Sequence, residues 1–340
     1  MTAGKKITIH DVAKQAGVAI SSVSRVLTDH PHVSETMRAR VLAAAQALGY
    51  QPDFLAHSLR SGSTDSIGFL VGTIFNPVMA DLSVSIANVM AEHGYAMLLV
   101  CSQNQPELDV AYLRFLIRRQ VGGLIVSSAT HGPEQAAALI AESAVPAVML
   151  DRECPPGAHV SAVQSDHASG VEAAVAHLVE QGHRRIALVN GPPFFDPSRA
   201  RRQGFQQAMH AAHLTVEPSF VRTKGMDKNS GYQETCALLA LPQRPTAIIA
   251  GGNLILTGVL QALQEHHIQV GCDMALIGCD DTDLTRLYSP AITVIARDLS
   301  LLGETAARLL VENMNTGSGG KSILLPTQLV IRASSLCPPQ

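Results

Sequence analysis

The run from Ile7 to Leu27, ITIHDVAKQAGVAISSVSRVL, constrains this chain more tightly than any other stretch. Val12, Ala13 and Ala16, then Val23, Val26 and Leu27, recur at spacings of three and four. That period gives two short helices, each with one buried stripe. Thr8, three residues before Asp11, makes a capping-box start for the first helix. Gly17 supplies the left-handed backbone that a tight two-helix corner needs. A third helix is predicted between Val33 and Tyr50, with Ser34 as N-cap, Glu35 near the positive end, and Gly49 as the stop. Its buried stripe is Val41, Leu42, Ala45 and Leu48. Three such helices share a small core and leave the second free to enter a major groove. Its early residues Ile20, Ser21, Ser22 and Arg25, together with Thr8, are the candidate DNA contacts.

The charge distribution agrees with this arrangement. The chain of 340 residues carries a net charge of -3. Residues 1–60 hold seven Lys and Arg against four acids, which leaves them at +3 and the remainder at -6. A basic head on an acidic body suits phosphate contact without indiscriminate adhesion to polyanions. After the third helix comes Tyr50–Gly62, YQPDFLAHSLRSG. About two turns of helix fit over Asp53–Leu59, too few to persist alone in water, so a linker that folds against DNA is expected. Leu59 would then wedge between base steps in the minor groove, or simply be a buried linker leucine.

The segment Ile7–Gly68 resembles the lactose-repressor (LacI/GalR) family. The family pattern DVA-x-x-AGV-x-x-x-x-VSRVL stands as Asp11–Leu27, VSE-x-x-R as Val33–Arg38, and LGY-x-P as Leu48–Pro52. L-A-x-S-L-R stands as Leu55–Arg60, followed by T-x-x-IG as Thr64–Gly68. The resemblance extends more weakly along the whole chain. It implies that Ile20 and Ser21 discriminate the operator and that Ala56 and Leu59 are the minor-groove residues of a hinge helix. One departure is Ala19, where the family usually has a capping Ser or Thr; such a loss costs about 0.5–2 kcal/mol.

From Ser66 onward, apolar strands alternate with helical stretches. Strands are predicted at Ile67–Val71, Ala96–Cys101, Gly123–Val126 and Val145–Leu150. A second series follows at Ala162–Gln164, Arg185–Asn190, Ala247–Ala250 and Met274–Gly278. Nearly continuous strand hydrophobicity indicates parallel sheets covered on both faces. Two doubly wound lobes follow, with ligands expected beyond the strand carboxyl ends, in the cleft between them. Polar residues at those ends are Asn76; Ser127 and Ser128; Asp151 and Arg152; Arg199 and Arg201; Asn253; and Asp280. Carboxylates, amides and an arginine converging there can bind a polyhydroxyl ligand, although each alone could equally cap a helix. The resemblance implies effector contacts at Asn76, Asp151, Arg201, Asn253 and Asp280; with Ser128 these form the candidate effector set. Where the family often has aromatics, this chain has Val78, Met79 and Cys279. With no Trp and only 4% aromatics, stacking platforms are few, which favours a small sugar over a purine ring. Phe194 and Phe195 are the alternative stacking face.

Other chemistries find little footing. The fourteen histidines form no Cys/His/carboxylate quartet, so no metal is expected. Cys279-Asp280-Asp281 lacks the glycine and glutamate of a calcium loop, and Gly317–Gly320 reads as a turn. No nucleophile stands with a base, so the chain is read as no enzyme and needs no cofactor. Six scattered cysteines and the absence of an export or membrane segment suit a cytoplasmic protein. Ile323–Ile331 reads as a last strand crossing between lobes. With Pro338 and Pro339 near the end there is no room for a C-terminal heptad helix, so a homodimer reading a near-palindromic operator in double-stranded DNA is expected.

The resulting fold class is a small all-α helix-turn-helix domain (1–50), a hinge helix and linker (51–64), and an α/β two-lobed body of the periplasmic-binding-protein-like (type I) kind (65–340). Its N-lobe is placed at about 65–161 and 292–320, its C-lobe at about 162–291 and 321–340. The functional reading is a transcriptional regulator, a repressor, controlled by a sugar or sugar derivative. The alternatives are a solute-binding component of sugar uptake, a regulator responding to a nucleoside or purine, or an α/β enzyme.

Overall fold

Three short helices open the chain: α1 (Ile9–Ala16), α2 (Ile20–Leu27) and α3 (Glu35–Leu48). The computed structural model describes residues 7–27, 32–50, 64–128, 133–154 and 160–339, with backbone alone over 133–137. The chain divides into two units, Met1–Thr64 and Asp65–Gln340. In the first, Val12, Ala13 and Ala16 of α1 bury against Val23 and Val26 of α2 and Val41, Ala44 and Ala45 of α3. The anticipated Leu42 is instead half exposed, and Ala44 takes the inward position, so the stripe of α3 lies one step round from the expected one.

The second unit is built on two six-stranded sheets. Its strands are β1 (Thr64–Val71), β2 (Ala96–Cys101), β3 (Val121–Ser127), β4 (Ala147–Leu150), β5 (Ser161–Ser165), β6 (Ile186–Val189), β7 (Val221–Arg222), β8 (Ala247–Ala250), β9 (Ala275–Cys279), β10 (Thr293–Arg297), β11 (Ser322–Leu325) and β12 (Thr327–Val330). The first sheet runs β11-β5-β4-β3-β1-β2, the second β12-β10-β9-β8-β6-β7. Both are parallel across their interiors; β12 alone runs antiparallel, against β10. Alternate side chains face opposite layers. Ile67, Phe69 and Val71 enter one core of the first lobe, while Leu70 enters the other. Ala187 and Val189 likewise separate from Ile186 and Leu188 in the second lobe. Two-sided burial explains why these strands read as unbroken apolar runs.

The crossings between lobes differ from those anticipated. β5 pairs with β4 and β11, so it closes the first sheet instead of opening the second. β10 pairs with β9 and belongs to the second sheet, and β11 belongs to the first. The chain therefore crosses after Ser165, after Arg297 and at Pro326, not near 161, 291 and 320. Runs such as SAVQS and TVIAR carry no mark of which sheet completes them; pairing decides. The last strand does cross between lobes, as two short strands with Pro326, which has no N–H to donate to a ladder, between them. Beyond it, buried His177 and His183 hold the tail: Nε2 of His177 lies 2.8 Å from the Ser335 hydroxyl, and Nε2 of His183 2.9 Å from the Cys337 carbonyl.

Candidate functional site

The face offered by α2 follows from what its neighbours bury. Ile20, Ser21 and Arg25 are exposed and Ser22 is half exposed, while Val23 and Val26 of the same helix point into the core. Ile20 is an apolar side chain left 42% exposed at the start of the helix, a position suited to touching a thymine methyl. Thr8 caps α1: its N–H and hydroxyl both donate to the Asp11 carboxylate, at 2.9 and 2.7 Å. Gly17 turns the corner at φ 63°. Arg40, counted above among the basic head groups, reaches back from α3 and donates to the Ala16 carbonyl at 2.6 Å. It therefore braces the α1–α2 corner.

In the second unit, a cavity of about 120 Å³ lies between the lobes, beyond the carboxyl ends of the strands. Asn76, Asn104, Ser127, Asp151 and Arg152 line it from the first lobe, and Arg201, Asp280 and Arg297 from the second. Asp151 follows β4 and Asp280 follows β9, at matching places in the two sheets. Both hold left-handed backbone, φ 51° and 67°, a conformation that Asp tolerates better than most residues. Arg297, the last residue of β10, bonds both carboxylates: its Nε donates to Asp280 at 2.6 Å and its Nη1 to Asp151. Burial alone would raise the Asp151 carboxyl, but Arg297 and then His167 hold it well below the usual carboxylate range. Against burial, Asp280 and Asp151 together raise the Arg297 guanidinium above its ordinary value.

A second layer orients this trio. The backbone N–H of Ser165 donates to Asp151 at 2.9 Å. Arg201 donates to the Gly251 carbonyl at 2.8 Å and to Nδ1 of His167 at 3.2 Å. With Nδ1 accepting, the neutral ring carries its proton on Nε2, which faces the Asp151 carboxylate at 3.4 Å. Burial, followed by the charge of Arg201, pushes the His167 pKa down to about 4. The Asn253 amide spans the lobes, donating to Asn76 at 3.1 Å and to Asp280 at 3.3 Å. Asn76 also caps the helix Pro77–Glu92, accepting from the Val78 N–H at 3.2 Å.

Residues 8–53 match the family model "Bacterial regulatory proteins, lacI family", and residues 175–335 the model "Periplasmic binding protein-like domain". The chain is 32% identical over 331 residues to the HTH-type transcriptional repressor PurR of Haemophilus influenzae (strain PittEE), covering 96% of this chain and 98% of that one. This chain belongs to the LacI family. It is a DNA-binding transcriptional regulator with an effector-binding body, not an enzyme. The ribose operon repressor of Escherichia coli (strain K12) is 33% identical over 308 residues, 90% of this LacI-family chain and 93% of the relative. Among solved structures, the lac repressor dimer bound to operator and the anti-inducer ONPF aligns with a TM-score of 0.86 at 28% identity, covering 98% of this chain and all of that one.

In this LacI-family body, Asn76, Asp151, Arg201 and Asp280 of the anticipated effector set line one cavity, two from each lobe. Asn253 stands behind the wall and ties two of them together. Ser128 is displaced from the anticipated place: it is buried beside Asp109, and its neighbour Ser127, pointing the other way off the strand end, lines the cavity. Arg199 pairs with Glu153 and Asp196 at 2.7 Å each, outside the cavity lining. Phe195 lines the cavity wall, with the Arg152 guanidinium 5.0 Å from its ring centre. Sequence reasoning missed Arg297 and His167. A lone arginine closing the apolar run TVIAR was a usable signal for the first; for His167, one of fourteen histidines, there was none. Ala56 and Leu59 lie outside the described residues.

Proposed function

We propose that this chain is a cytoplasmic homodimeric repressor whose affinity for a near-palindromic operator is set by a small polyhydroxyl ligand, a sugar or sugar derivative, in the inter-lobe cavity. One observation carries the reading: hydrogen-bonding side chains from both lobes converge where the strands of both sheets end, with Arg297–Asp151 and Asn76–Asn253 crossing between lobes. A ligand held by both lobes binds one lobe arrangement more tightly than another, and only that difference can alter DNA affinity. The names of the relatives support repression, and the ribose operon repressor supports a sugar-like ligand. In the DNA-binding unit, the exposed Ile20, Ser21, Ser22 and Arg25, with Thr8 at the first helix start, are the proposed contacts; Ala56 and Leu59 are proposed for the minor groove. Exposed apolar side chains on the first lobe, among them Val84, Leu98 and Leu99, support self-association.

A nucleoside or purine effector is the second reading, favoured by Phe195 on the cavity wall. Arg152 already covers that ring, which leaves less of its face for stacking. The transport alternative loses its ground with residues 8–53 matching a regulatory family.

Fluorescence anisotropy of the full chain against operator duplexes tests the DNA half of the reading. Leu59→Ala is expected to weaken specific binding at least tenfold while leaving non-specific binding to duplex DNA unchanged. Equal specific affinity for the two proteins removes the minor-groove wedge.

A further inference from the structure

The charge of the cavity departs from what a neutral sugar needs. Both carboxylates on its wall, Asp151 and Asp280, are spent on Arg297. Arg201 is anchored on the Gly251 carbonyl and His167. Arg152 is different. It is only 9% exposed and it lines the cavity, yet among the described residues its guanidinium makes no hydrogen bond or ion pair: it rests against the Phe195 ring, and the carboxylates of Asp196, Asp151 and Asp109 act on it only from beyond ion-pair distance. A buried guanidinium without an acceptor is costly unless an anion completes it. Three arginines against two carboxylates leave the lining one positive charge in excess.

Resting on the cleft-effector reading above, we infer that the effector is a small sugar acid, its carboxylate seated on Arg152 and its hydroxyls toward the amides of Asn76 and Asn104. The guanidinium fork matches a carboxylate in two parallel hydrogen bonds. A monoanion brings the lining to neutrality; a phosphate dianion would overshoot it. The nearby Asp109 makes no hydrogen bond or ion pair to Arg152: among the described residues both of its buried carboxyl oxygens lack a hydrogen-bond partner, and burial raises its pKa. The cavity volume, about 120 Å³, is roughly ten times the space one water needs, so the ligand is of monosaccharide size.

The test is calorimetric titration and thermal shift of the full-length protein with matched sets: an aldose, its aldonate, its uronate and its 6-phosphate, for several pentoses and hexoses. The expected result is binding by one acid at least tenfold tighter than by its neutral parent or its phosphate. Arg152→Gln should remove that preference, and Arg152→Lys should restore part of it. If Arg152→Gln fails to fold, Arg152→Lys carries the test, because losing the fork should still weaken the acid several-fold while sparing the neutral sugar. A neutral sugar binding as tightly as its acid overturns this inference and leaves the cleft-effector reading standing. A phosphate binding best overturns the carboxylate assignment. No response to any member overturns the inference, and no response to nucleosides and purines as well overturns the cleft-effector reading with it.

Discussion

His167 shows how a buried neutral side chain makes stability depend on pH. In the unfolded chain it takes a proton near 6.5, whereas in the folded protein it resists until about 4. Between those values the unfolded state binds the extra proton, so stability falls as pH falls from 6.5 to 4. The gap corresponds to about 3 kcal/mol once pH is below both. Urea titrations from pH 7.5 to 4.5 should show this decline, and His167→Gln should flatten it. A wild-type slope equal to that of the variant would mean that another group carries the acid sensitivity. The same side chains display the gap between motif and function. Asn253, read as an effector contact, gives its amide nitrogen to Asn76 and Asp280, while its carbonyl oxygen has no hydrogen-bond partner among the described residues.

Among helices and strands, close approach sets the tolerances. The helices Lys228–Leu239 and Asn253–Glu265 pack face to face at Gly258, where a Cβ would stand 2.0 Å from the Lys228 carbonyl and 2.5 Å from the Tyr232 nitrogen. Backbone atoms cannot step aside as a flexible side chain can. Gly258→Ala is therefore expected to destabilise the body by about 1–3 kcal/mol through overpacking, despite alanine's better helix propensity. A denaturation midpoint equal to wild type would contradict the contact. In the amino-terminal unit, the Ala19 departure has a visible setting: the Ser22 and Val23 N–H groups bond the Ala19 carbonyl at 2.9 and 3.2 Å, so the helix starts without a side-chain cap. Arg40 on the Ala16 carbonyl supports the same corner from the far side.

Across the body as a unit, several polar ties join the lobes, Glu153 with Asp196 and Arg199 among them, and Arg297 is distinguished by bonding a carboxylate from each lobe. Removing it leaves Asp151 and Asp280, 13% and 4% exposed, without their cation. Arg297→Ala is expected to cost about 3–5 kcal/mol in a urea titration, the usual penalty for orphaning a buried charge. A loss below 1 kcal/mol would show that the carboxylates find other partners as the lobes part.

Local pattern alone pointed to the three-helix head, the largely parallel character of both sheets and the strand-end position at which the cavity lies. Each of these depends on side-chain periodicity, capping or hydrophobic runs, which are properties of neighbours in the chain. Which sheet received β5, β10 and β11, which of Ser127 and Ser128 turned toward the cavity, and which cation met both carboxylates were settled only by folding. Some of those outcomes depend on segments more than a hundred residues apart, such as β11 with β5 and Arg297 with Asp151, and no local spacing encodes such a meeting.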